Sequence, residues 1–436
     1  MTMLPTIDIG GGTLERATES ALNTPGAYAF MRLDPDAKFP LLTREVELQP
    51  NLGHLNPFNA ADQPLLFQKY KENALSLSTH IRRATAKDTA PPIVGDFESA
   101  GCAVDQLSDK TTVATYVDLN TWTLTADVVD SAAGVNTGGH ILLVQLDSGI
   151  YYPVLLSSYV AASKTCQAAV DLPSVTSAGK IIQQVYNVRP RNRQVPTTKT
   201  LNWRLTTPGK HTTAPDLAWV FGGGAVGKIE PFKIAPAEPC KFQFSYHVAD
   251  IEIAAHTMAA ETFVENLTHQ YANNHAGNFE FLFADANSAG GIAHTTAALI
   301  SAEIDLSLTT VPMLGDGSST CINGCAGYMS VCKQAAVTIE VLFDIARWTD
   351  FQASPAQTQK FLGFVQPTTN LDIPAWALYL PNCYLLKEPE VEPLKGDYLK
   401  AKLVYGAMSP GFSVTEINED DPETSPWILG FSGEET

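Results

Sequence analysis

The stretch "WVFGGGAVGKIEPF", residues 219–232, carries the spacing G-x-x-x-x-G-K through Gly222, Gly227 and Lys228. That spacing cradles a nucleotide phosphate when a buried strand leads in, a helix starts behind the lysine, and Ser or Thr follows to ligate magnesium. "LAWVF" meets the first condition. Ile229 stands where the hydroxyl is needed, however, and Pro231 and Pro236 fall inside the required helix, where each removes a hydrogen bond and clashes with the preceding turn. No helix dipole then points at a phosphate. The glycines are read instead as backbone, with Gly222, Gly223 and Gly224 letting "LAWVF" reverse tightly so that "VGKIEPFKI" pairs beside it. The prolines mark an edge or bend, and Lys228 is a surface charge.

The other reactive side chains do not converge on a reaction. Cys321, Cys325 and Cys332 are spaced C-x3-C-x6-C, whereas structural zinc takes four ligands with tight paired spacings. Cys102 closes a short helix, the wrong end for stabilising a thiolate. His256, His269 and His275 form no H-E-x-x-H, and no G-x-S-x-G raises a serine nucleophile. Glu303 and Asp305 alternate on the polar face of one strand, as a glycosidase pair could, but an exposed pair of this kind is ordinarily solvated. The expectation is a chain with no cofactor, no metal and no catalytic site.

The elements that would have to position such groups are mostly strands. In "ALSLSTHIRR", Leu75, Leu77, Thr79 and Ile81 alternate with Ser76, Ser78, His80 and Arg82, the pattern of a half-buried antiparallel strand. "TLNWRL", "CKFQFSYHV", "LISAEIDLSL", "VTIEVLFDI" and "YLKAKLVYGA" repeat it. Two short helices are expected. "TAPPIVGDFESAGC" has Thr89 to cap, Pro91 in the first turn, Ile93 and Phe97 four apart, and Gly101 to stop. "ETFVENLTHQYA" carries Phe263, Leu267 and Tyr271 at helical spacing. Residues 103–189 are short strands between Gly- and Ser-rich turns, a small β-barrel or sandwich inserted into the chain.

With 436 residues, two or three domains are expected. The division is 1–102 plus 190–256 for a first β-domain, 103–189 for the insert, 257–412 for a second β-domain, and 413–436 for an acidic C-terminal arm. That arm holds seven of the negative charges behind a formal net charge of −18 and reads as solvated. The remaining residues are still acidic, which argues against tight binding of nucleic acid. The seven cysteines are irregularly spaced, the N-terminus has no apolar secretion core, and no apolar run is long enough to span a bilayer. A reducing cytoplasm is the simplest home for the chain.

Several stretches together carry a resemblance. "EVELQPN", "ALSLSTHIRRATAKDTAPPIVGDFESAGC" and "CKFQFSYHV", then "ISAEIDLSL", "GYMSVCKQAAVTIEVLFDIARWTDF", "LPNCYLLKEPEV" and "GDYLKAKLVYGAM", resemble in order the major tail tube proteins of long-tailed bacteriophages. The resemblance spans about three quarters of the chain, leaving out 103–189 and the acidic arm. It implies a mainly β fold of tandem tail-tube-type sandwich or barrel domains with short flanking helices and an inserted small β-domain. It also implies a virion protein, made in the host bacterial cytoplasm, that joins copies of itself through sheet edges into stacked trimeric or hexameric rings. Its partners would be itself, other tail proteins, and DNA passing through without specific binding. The candidate assembly residues are Arg82, Arg83, Lys87 and Asp88 in the polar segment, with Asp96 and Glu98 on the outer helix face. The competing readings are another tail protein, distal or adaptor, and a carbohydrate-binding or hydrolytic β-sandwich protein.

Overall fold

The structure, a computed structural model, describes residues 13–31, 37–39, 44–49, 65–70, 75–82, 90–107, 111–127, 138–183, 185–191, 195–196, 199–207, 216–256, 279–286, 292–314, 325–332, 334–343, 359–369, 373–394, 398–409 and 424–432. Among these the fold is mainly β: two 11-stranded antiparallel sheets, a closed six-stranded barrel, a two-stranded ribbon, and one helix. The expected second helix, over 261–272, lies outside the described residues.

The first sheet is organised on one long strand, Asp216–Ile229. Its first half is flanked by Leu201–Thr207 and Asp250–His256, and its second half by Lys241–His247 and Leu308–Leu314. The change of partners occurs at Gly222–Gly224, where pairing with Leu201–Thr207 shifts register. This corrects the expected tight reversal: the chain bends at the glycines and continues as one strand. Gly223 has φ +61°, in the left-handed region that disfavours a side chain.

The second sheet runs from Phe232–Ile234 through Leu299–Asp305, Ala336–Leu342, Tyr398–Ala407, Trp376–Leu385, Ile428–Ser432 and Val185–Arg189 to Ala103–Leu107. Phe232–Ile234 thus joins the second sheet, while the hairpin of Leu308–Leu314 and Cys325–Cys332 joins the first, so hydrogen bonding crosses residue 256 in both directions. The run "LISAEIDLSL", expected as one strand, is broken at Ser307, φ +52°, where the chain passes between sheets.

The barrel closes through Ile141–Gln145, Tyr151–Val160, Thr165–Ala168, Thr121–Leu124, Thr111–Tyr116 and Ile181–Gln183. It packs against one face of the second sheet, and the first sheet packs against the other. In strand Lys360–Gln366, which pairs beside Trp376–Leu385, Leu362 and Phe364 join the core shared with the first sheet, whereas Phe361 and Val365 join the core shared with the barrel. Trp376, Leu378 and Leu380 divide in the same way from Ala377 and Tyr379. Strands buried on both faces lose polar alternation. The same rule corrects the reading of the C-terminus as a solvated arm. Ile428–Ser432 is a fully buried strand between Trp376–Leu385 and Val185–Arg189, with Leu429 and Phe431 on one side and Ile428 on the other. The acidic positions 416–423 and 434–435 are outside the described residues.

The helix Pro92–Ser99 is enclosed by the first core. Pro91 is its N-cap, and at its C-terminus Gly101, φ +84°, donates to Glu98 O while Cys102 donates to Phe97 O, a Schellman closure. Phe97 is fully buried, edge-on to Phe242 and Phe244 at 5.5 Å each. Truncating such a side chain costs about 3–5 kcal/mol.

Candidate functional site

The sequence-derived assembly residues separate in the structure. Arg83, Lys87 and Asp88 lie outside the described residues. Arg82 is buried rather than part of a solvated segment. Asp96 is not on an outer helix face: its side chain is 1% exposed and forms an ion pair with Arg16 at 2.5 Å. Arg16 also donates to Pro92 O at 2.5 Å, and Tyr246 donates to Asp96 Oδ1 at 2.9 Å. Thr79 approaches Asp96 Oδ2 at 3.4 Å. Burial pushes the Asp96 carboxyl above its usual range, and the Arg16 charge and these hydrogen bonds pull the other way. The group is a buried lock between the helix and the strands Thr13–Ala21, Leu75–His80 and Lys241–His247. Of the three candidates among the described residues, only Glu98 reaches the surface, in an ion pair with Lys199.

A second buried carboxylate holds the glycine bend, and sequence reasoning missed it. Glu19 accepts from Gly223 N at 2.8 Å, Asn202 Nδ2 at 3.1 Å, Thr200 Oγ1 at 2.5 Å and Asn23 N at 3.0 Å. Tyr328 donates its hydroxyl to Gly223 O at 2.5 Å from the other side. The polar chain continues from Asn202 to the Tyr28 hydroxyl at 2.6 Å, to Arg204 lying 4.1 Å from the Tyr28 ring centre, and to Glu15, which accepts from Arg204 at 2.5 and 2.9 Å. Burial raises the Tyr28 hydroxyl pKa, opposed by Arg204. With their oxygens bonded to neighbouring strands, these groups fix the sheet and do not present a poised base. The only signal in the sequence is a Glu in an otherwise alternating strand.

Lys228 pairs with Glu230 at 2.5 Å, and Ile229 is in the core, so the residues of the G-x-x-x-x-G-K spacing surround no phosphate cradle. Cys325 and Cys102 are buried. Burial alone pushes the Cys166, Cys240 and Cys383 thiols far up, away from the reactive thiolate. Glu303 is exposed in its strand, and Asp305 accepts from Ser307 N at 2.7 Å. Among the described residues no three His, Cys, Asp or Glu side chains are grouped to hold a metal, and no helix is long and apolar enough to cross a membrane.

What remains at the surface is a sheet edge. Among the described residues Asp250–His256 pairs only with Asp216–Ile229. Ile251 packs against the core, but Ile253, two residues on, is 54% exposed. Its cross-strand neighbour Trp219 is half-buried, and Leu217, opposite Ala255, is 36% exposed. The apolar face of the sheet therefore continues past the core to an edge that no other described strand pairs. No family model matches the chain, and no curated protein matches it in sequence.

Proposed function

We propose that this chain is a structural subunit of the tail-tube type, which joins copies of itself through sheet edges into stacked rings that form a conduit for phage DNA. The observation that carries the reading is the open edge Asp250–His256 with its exposed apolar ledge, on a scaffold whose buried carboxylates serve packing. Long edges of this kind template association unless blocked, and a ring-forming subunit uses that property. The chain's formal charge of −18 fits a wall that phosphate slides past without adhering. The sequence resemblance points the same way, in the order of its strands.

Electron microscopy of the purified full chain tests the reading. Rings or hollow filaments of uniform width are expected. A monodisperse monomer that binds glycans would favour the sugar-binding β-sandwich instead.

A further inference from the structure

Other one-sided strands are covered or defended: Leu75–His80 exchanges backbone hydrogen bonds with Lys38 at Ser76, and Glu280–Asp285 bonds to Thr295 and Ala297. Glu390–Leu394 is exposed over 390–393, but it carries Pro393 and sets Glu390 and Glu392 opposite Lys402 and Lys400, with Glu392 bonded to Lys400 at 3.1 Å. Val195–Pro196 is two residues long and Phe232–Ile234 three. Ala103–Leu107 carries Asp105, paired with Arg189 at 3.0 Å. Charge, proline and brevity are the usual protections of an edge. Asp250–His256, seven residues reading DIEIAAH, has no proline, and its acidic residues Asp250 and Glu252 lie on the face opposite to Ile251 and Ile253.

That strand is complementary to itself. Two copies laid antiparallel about Ile253 place Asp250 of each opposite His256 of the other, Glu252 opposite Ala254, Ile251 opposite Ala255, and the two Ile253 side chains face to face. Ile251, Ile253 and Ala255 lie on the face that carries Trp219 and Leu217, so the two apolar ledges become continuous across the seam. A one-residue slip in one direction sets Ile253 opposite Glu252, and in either direction it puts the isoleucines of the two copies on opposite faces.

We propose that in the unassembled chain this edge is occupied by the same strand of a second copy, in an antiparallel two-fold pair centred on Ile253. This rests on the reading of the chain as self-associating and adds the partner and the register. A two-fold contact closes after two copies, so the pair covers the edge without propagating, and ring assembly through that edge requires the pair to open.

A same-residue cross-link tests the register. In the full chain carrying Ile253→Cys, the two introduced thiols face each other with Cβ atoms about 4.5–5.5 Å apart, and a short bis-maleimide should convert most of the protein to a covalent dimer. In Ala255→Cys the matching residues are about 13 Å apart along the strand direction, and cross-linking should fall several-fold, as it should in the unsubstituted chain. Ile253→Lys should return light-scattering mass from twice 47.0 kDa to 47.0 kDa. A monomeric unsubstituted chain, no cross-link at 253, or equal cross-linking at 255 would overturn the pair. Rings seen by microscopy without a 253 cross-link would remove this inference and leave the tube reading standing. The cross-link without rings would do the reverse.

Discussion

Asp96 shows how a single charged residue can be misplaced by local pattern. Ile93 and Phe97 mark one apolar helix face, and Asp96 should then lie beside it toward water. Its partner Arg16 lies 80 positions away, and no local spacing announces it. Removing one member of a buried ion pair strands the other, at about 3–5 kcal/mol, so Arg16→Met should lower the urea midpoint by that much stability while Asp96→Asn costs less. The pH dependence has a definite sign. A carboxyl whose folded-state pKa is raised stabilises the fold most below the unfolded value and loses that contribution as pH rises through the folded one. Asn at 96 cannot ionise, so from about pH 3 to about pH 7 the stability of Asp96→Asn relative to the unsubstituted chain should rise. A difference that falls instead would mean that Arg16 outweighs burial. At the glycine bend, a Cβ on Gly224 would meet the Trp203 ring at 2.1 Å, and Gly224→Ala should cost about 1–3 kcal/mol by overpacking, read as a lowered thermal midpoint.

Among the elements, half-buried strands were the most legible. Leu75–His80, Leu201–Thr207, Lys241–His247 and Ala336–Leu342 alternate apolar with polar residues, although in the first three Ser76, Asn202, Thr206, Ser245 and His247 on the polar face are buried as well. The helix end was legible too, because Gly101 supplies a conformation that other residues adopt at a cost. Doubly buried strands were not. "WILGF" has no alternation, and the acidic residues before and after it dominated the reading of the last segment. The glycine run was recognised as a backbone device, but a reversal and a bend use the same residues. Only the partners of Asp216–Ile229, which change along its length, decide between them. Lys228 is exposed beside Glu230, so Lys228→Ala should leave stability within about 0.5 kcal/mol and nucleotide binding absent by calorimetry. The C-terminal strand makes the opposite prediction. A Cβ on Gly430 would meet three side-chain atoms of Ile141 at 2.8–2.9 Å, so Gly430→Ala should push the barrel from the sheet and increase hydrogen exchange in 141–145 and 428–432.

In the molecule as a whole the layers run first sheet, second sheet, barrel, with one core on each side of the second sheet. Asn187 ties the barrel down by accepting from Ile141 N at 2.7 Å and donating to Ile141 O at 3.1 Å, and the Tyr379 hydroxyl donates to Pro153 O at 2.7 Å. That architecture was legible as a class, mainly β, whereas Ala103–Leu107 and Val185–Arg189, expected inside a small barrel or sandwich over 103–189, belong to the second sheet. The exchange of strands between sheets was not, because pairing across hundreds of residues leaves no local trace. Mass photometry of the full chain over a rising concentration series bears most directly on the idea that these sheets exist to be joined to copies of themselves. Growth from small species to discrete closed assemblies of three or six 47.0 kDa chains, or to stacks of them, is the expected result. A single 47.0 kDa species at every concentration would contradict it.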